Sequence, residues 1–176
     1  MSSQEAHGLI GLGVAVLREE GRWRVLGLSP KVFTSLQEAE RELRELRSTG
    51  ASFGLINVDD EFFVVVRPGP GGSRLLLSDA TAALDYDLAA DVLDALHVEI
   101  PDPDELDDDE EPWAEGDFTI LEDLGLPESV LGLIVSESDE LYADEQLAAL
   151  ARQLGFEEEL ADFERESAKS DGNRRT

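Results

Sequence analysis

The chain contains no cysteine. That excludes disulfides, thiolate metal sites and a cysteine nucleophile, and it fits a reducing compartment. Long apolar runs are also missing: no stretch reaches the roughly 18 residues that a membrane-spanning helix needs. Gly8 to Leu17 is apolar, but Glu5 precedes it and Arg18-Glu19-Glu20 follow. A secretion signal needs a basic start and a small-residue cleavage site instead. The stretch therefore reads as a strand, and the sequence predicts a cytoplasmic protein.

Basic residues are scarce, and their scarcity is local. The 176 residues include 14 Lys or Arg against 41 Asp or Glu, a formal charge of −27. Residues 1–74 carry nine basic and ten acidic side chains, and residues 152–176 carry five and seven. Between Leu75 and Ala151 there are 24 acidic residues and no Lys or Arg. Such a field repels phosphate backbones and attracts basic surfaces, so no direct nucleic-acid binding is expected. The apolar fraction of 41% is a little below the globular norm of about 45–50%, which suits a folded core with a polar surplus.

Hydrophobic patterning predicts an α+β domain over residues 1–98, in the order ββαβββα, with a mainly antiparallel five-stranded sheet. Leu9 to Leu17 and Trp23 to Leu28 form a hairpin around Glu20-Gly21. Gly11, Gly13 and Ala15 lie on one strand face, where small residues let a helix pack closely. A helix is expected from Ser35 to Ser48, with Leu36, Ala39, Leu43 and Leu46 on one face. Ser35 and Glu38 have the spacing of a capping box, and Glu40 and Arg44 stand one turn apart. Phe53 to Val58, a turn at Asp59-Asp60, and Phe62 to Arg67 follow. Phe62 to Val66 is apolar on both faces, which marks a central strand covered on both sides. After the Pro68–Ser73 loop comes Leu75 to Leu77. Asp79 then caps a helical stretch that is interrupted near Asp85-Tyr86-Asp87 and ends at Leu96.

Residues 99–117 hold eleven acids, three prolines and no base, so self-repulsion predicts an extended, disordered acidic linker. Residues 118–166 read as a small helical unit. Pro127 suits a first turn. Asp144 and Glu145 suit a helix N-terminus. Leu147, Leu150, Ala151 and Leu154 make one stripe, and Gly155 with Phe156 marks its end. A flexible polar tail, 167–176, completes the chain.

Chemistry-bearing motifs are few. His97-Val98-Glu99 has the H-x-E form found in zinc nucleobase deaminases, but the matching P-C-x-x-C element cannot exist without cysteine. A three-residue pattern with a wildcard recurs freely by chance. Gly8, Gly11 and Gly13 lack the spacing and the following helix of a dinucleotide loop. The Pro68–Ser73 loop lacks the Gly-Lys-Ser/Thr ending that grips phosphate. Asp102 to Glu111 has Pro103 and no glycine, unlike a calcium loop. Arg41, Arg44 and Arg47 interleave with Glu38, Glu40, Glu42 and Glu45 as a salt-bridged face. No cofactor, metal or catalytic residue is predicted, and the chain reads as a non-enzyme. The acidic surplus nominates Asp104, Glu105, Asp107, Asp108, Asp109, Glu110 and Glu111, together with Trp113 and Tyr142, as partner-binding residues. A metal- or small-molecule-binding module and a hydrolase or transferase using carboxylates are the rival readings.

Several segments in fixed order carry a family resemblance. They are Phe62-Phe63-Val64-Val65-Val66-Arg67, Leu77-Ser78-Asp79-Ala80, the acidic stretch, Gly116-Asp117, Leu121 and Leu124-Gly125-Leu126. Leu141-Tyr142-Ala143-Asp144-Glu145-Gln146-Leu147 and Leu154-Gly155-Phe156 follow. In these the chain resembles the actinobacterial tRNA adenosine deaminase-associated proteins over roughly residues 53–163. Ala143 stands where that family commonly has proline, a change confined to a helix first turn. The resemblance implies an accessory partner of the enzyme that converts adenosine to inosine at the tRNA wobble position. It brings no catalytic residues with it. On that reading the acidic segment engages the deaminase's basic RNA-binding surface.

Overall fold

The computed structural model describes residues 11–46, 50–106, 112–136 and 141–174, with side chains up to residue 167. Strands β1 (Gly11–Glu19) and β2 (Arg22–Gly27) form the expected hairpin, with Glu19 opposite Arg22. Glu20 and Gly21 both have positive φ, 52° and 77°, the twist that two-residue hairpin turns require. A 3-10 turn at Pro30–Phe33 leads to helix α1 (Leu36–Glu45). The Ser35 side chain accepts the Glu38 N–H at 3.3 Å. The Glu38 carboxylate turns to Arg41 instead of completing the box, and Arg41 also reaches Glu45. Arg44 donates to the Gly69 carbonyl, so the sequence-level Glu40–Arg44 pairing gives way to a tertiary contact.

Strands β3 (Ala51–Val58), β4 (Phe62–Arg67) and β5 (Arg74–Leu77) follow. A 3-10 turn at Ala80–Leu84 and helix α2 (Asp87–Ala95) come next, separated at Asp85-Tyr86 where the sequence places the break. Asp79 caps the first of these by accepting the Thr81 N–H at 2.9 Å. The sheet has six strands and not five, all antiparallel, in the order β2-β1-β3-β4-β5-β6. The sixth, β6 (Glu115–Gly116), lies inside the segment expected to be a linker and pairs with Leu76 and Leu77. Two residues are too few to show a strand period. Gly116 permits the approach: its φ is 127°, and a Cβ there would lie 2.2 Å from the Leu75 carbonyl oxygen.

Helices α3 (Glu128–Ser136), α4 (Ala143–Leu154) and α5 (Glu157–Arg174) complete the five helices among the described residues. The side-chain alternation of the strands splits the interior in two. Ala15, Leu17, Phe62, Val64 and Val66 point to the face covered by α1 and α2. Val14, Val16, Phe53, Phe63 and Val65 point to the face covered by Ile120, Leu121 and α3–α5. Every residue from Phe62 to Val66 is 0% exposed, as the doubly apolar run predicts. Ile120, Leu121, Leu126, Phe156 and the buried residues of α3–α5 supply the second layer and share one core with the sheet. Close approach on the first face depends on Gly13, where a Cβ would sit 2.9 Å from Val32 Cγ2.

Two arginines bind the later segment to the sheet. Arg67, at the end of β4, donates to the Ile120 carbonyl at 2.8 Å and grips Asp123 with two hydrogen bonds of 2.5 and 2.8 Å. Arg74 reaches Asp117 at 2.7 Å and Thr119 at 2.9 Å. The Arg67 guanidinium holds the Asp123 carboxyl below its ordinary range. A depressed folded-state value stabilises the fold above the unfolded value of about 3.9, and the contribution disappears as pH falls through the folded value. Arg67→Ala is expected to cost about 1.5–3 kcal/mol, the range for hydrogen bonds to charged groups. It should appear as a lower urea midpoint at unchanged slope, with a flatter acid limb. An unchanged midpoint and acid limb would contradict this role.

Candidate functional site

The strand register gathers arginines toward one end of the sheet, where Glu19, Asp117 and Asp123 accompany them. Arg18, Arg22, Arg67 and Arg74 fall at one end, because Arg18 pairs with Ala51 and Arg67 with Arg74. The opposite end holds the β3–β4 turn, where Val58 pairs with Phe62, and the last residue of β5, where Leu77 pairs with Glu115. The turn is acidic: Asp59, Asp60 and Glu61. Asp59 and Asp60 take φ values of 54° and 57°, in the left-handed region. Short polar side chains tolerate this region when they bond locally. Asn57, 3% exposed, provides that bond on both sides. Its Nδ2 donates to Asp60 Oδ1 at 2.8 Å, and its Oδ1 accepts the Asp60 N–H at 3.1 Å.

Other acids converge here. The Tyr86 hydroxyl donates to Asp59 Oδ2 at 3.1 Å. That hydroxyl is pushed up to about 12, by burial first and then by Asp59, Glu61 and Asp85. Glu164 of α5 is raised above the usual carboxylate range by lost hydration and by Asp144 and Asp60. The start of α4 docks on the turn, where the Ala143 N–H donates to the Asp60 carbonyl at 3.3 Å. Four segments of the chain therefore bring carboxylates to one pole.

A cleft of about 150 Å³ opens in this pole. Asp60, Glu61 and Asp79 line it with Ser78, Tyr142 and Gln146, and Pro112 forms part of its wall. Tyr142 stands at its edge, 71% exposed. Ser78 and Gln146 are each 3% exposed. The Ser78 hydroxyl accepts the Phe63 N–H at 2.8 Å. Gln146 Nε2 donates to the Ile134 carbonyl at 3.1 Å. Asp60, Glu61 and Asp79 take part in no ion pair among the described residues.

The nominated partner residues separate into four groups. Tyr142 is at the cleft. Trp113 is half-buried against the α1–α2 core, with its carbonyl accepting the Ala80 N–H at 2.7 Å and its indole donating to Glu115 at 3.2 Å. Asp104 and Glu105 are exposed in a turn closed on Asp102 and contribute nothing to the cleft lining. Asp107, Asp108, Asp109, Glu110 and Glu111 lie outside the described residues, immediately before Pro112. Asp59, Asp60, Glu61, Asp79 and Gln146 are site residues that sequence reasoning assigns only local roles or none. His97 and Glu99 share an open groove of about 320 Å³ beyond α2. No three His, Cys, Asp or Glu side chains among the described residues converge as a metal site would require. No helix among the described residues is long and apolar enough to cross a membrane.

Comparison with known proteins places this geometry in context. The sequence model of the family described as Rv3753c-like tRNA adenosine deaminase-associated protein matches residues 11–157. Protein Rv3753c of Mycobacterium tuberculosis is 64% identical over 151 residues, which covers 86% of each chain. No solved structure matches.

Proposed function

The chain belongs to the Rv3753c-like tRNA adenosine deaminase-associated protein family, and from that membership we propose that it is a non-catalytic accessory protein that docks on the basic RNA-binding surface of a tRNA adenosine deaminase. The observation that carries this reading is the acidic pole. The sheet register gathers carboxylates from four segments at one end, and the segment between Leu75 and Ala151 supplies no positive charge to neutralise them. An enzyme that holds tRNA presents cations to phosphate, and the same cations attract a protein surface of this sign. The five consecutive acids from Asp107 to Glu111 add to the negative charge of the same segment.

Docking on the RNA-binding surface makes this chain and tRNA competitors. Titrating the full chain into a preformed complex of the deaminase with labelled tRNA is expected to release free tRNA in proportion to the protein bound. A ternary complex that retains all its tRNA would overturn the proposed location of docking.

A further inference from the structure

We infer that the cleft between the β3–β4 turn and the start of α4 is a receptor for one arginine side chain of a protein partner. The inference rests on the docking reading for the nature of the partner, and on geometry for the nature of the guest.

Size is the first constraint. Pockets for cofactors and drug-sized ligands run to about 300–1,000 Å³. At about 150 Å³ this cleft has room for a single long side chain.

Hydrogen-bonding chemistry is the second. Asp60 has Oδ1 engaged by Asn57 at 2.8 Å, and Asp79 has Oδ1 engaged by the Thr81 N–H at 2.9 Å and hydroxyl at 2.6 Å. Each carboxylate is thereby fixed in place, and its other oxygen remains an acceptor. Gln146 adds an independent signal. Its side chain is nearly buried, and with Nε2 directed to the Ile134 and Val135 carbonyls, its Oε1 receives no donor among the described residues. Oε1 is not sealed from solvent, and on a residue that lines the cleft it can accept a hydrogen bond from a guest. The walls thus offer acceptors and negative charge, and the guest must bring donors and positive charge.

The third constraint distinguishes among cations. The carboxylates do not converge into a metal-ligand set among the described residues. A guanidinium needs no such convergence, because its five N–H donors spread over a planar fork. The exposed Tyr142 ring at the rim gives it an aromatic face to cover. This chain does not supply the guest from nearby sequence, since no Lys or Arg occurs between Leu75 and Ala151. Arg67 and Arg74 are engaged at the far end of the sheet.

The test is an NMR titration of the isotope-labelled full chain with N-acetyl-arginine amide, compared with N-acetyl-citrulline amide, its uncharged counterpart. Arginine is expected to shift the Tyr142, Ala143 and Asp79 backbone amides and the Gln146 side-chain amide along saturable curves. Citrulline is expected to leave them in place. Asp60→Asn with Asp79→Asn keeps the local hydrogen bonds and should weaken arginine binding at least tenfold. Equal shifts from citrulline, or unchanged arginine binding in the double variant, would overturn the inference. Measuring deaminase binding with the same proteins separates the two claims. Saturable arginine binding without any deaminase binding sinks the docking reading and leaves the cleft. Equal deaminase binding by wild type and double variant, with no saturable arginine binding, sinks the cleft and leaves the docking reading.

Discussion

Phe156→Ala is expected to destabilise the protein by about 3–5 kcal/mol, the range for removing a buried aromatic side chain. The residue is 0% exposed and joins segments remote in sequence. Its ring lies 5.2 Å from that of Trp23 on β2, and 6.1 Å, edge to face, from that of Phe53 on β3. Its own position is set by the end of α4, where Gly155 takes φ 104° and the Phe156 N–H donates to the Ala151 carbonyl at 3.0 Å. The side chain therefore carries the second helical layer onto the sheet. For a chain of this size the loss corresponds to a drop in Tm of roughly 6–20 °C. Urea unfolding followed by Trp fluorescence and by far-UV circular dichroism should show coincident transitions, both shifted. A loss below about 1 kcal/mol, typical of a surface change, or a helical transition that moves while the sheet's does not, would contradict a shared core.

Neutralising Asp107, Asp108, Asp109, Glu110 and Glu111 to Asn and Gln is expected to slow association with the deaminase by about 10–100-fold at low ionic strength. Deleting the whole of 99–117 would be a poor substitute. Trp113, β6 and the Asp117–Arg74 pair all lie in its second half and hold the fold together. If the neutral variant associates as fast as wild type, long-range steering by this run plays no part in docking.

The fold and the site differ in how much the sequence discloses, and the reason is physical. Features set by neighbours in sequence are legible. The five-residue apolar run from Phe62 identifies the doubly covered strand, Asp79 announces a cap, and Gly155-Phe156 marks a helix end. Features set by distant partners are not. The two residues of β6 have no period of their own and exist because β5 offers an edge. Glu38 would complete a capping box in isolation, but Arg41 draws it away. At the site, Asp59 and Asp60 read as a turn and Asp79 as a cap, and each does perform that local role. The meeting of Asp60 and Asp79 around one cleft follows from antiparallel register, which no single segment encodes. Gln146 is a polar residue beside an apolar stripe, and only the packing of α3 against α4 shows it to be buried. Tyr142 stands exposed at the rim of the cleft, whereas Trp113 is half-buried against the α1–α2 core.

The most direct test is the Kd of the purified full chain for the tRNA adenosine deaminase of the same organism, measured from low to high salt. Binding that is tight at low salt and weakens steadily as salt rises, with the slope reduced in the Asp60→Asn, Asp79→Asn variant, is the expected result. No binding at any salt, or a Kd indifferent to salt, would contradict docking through the acidic pole.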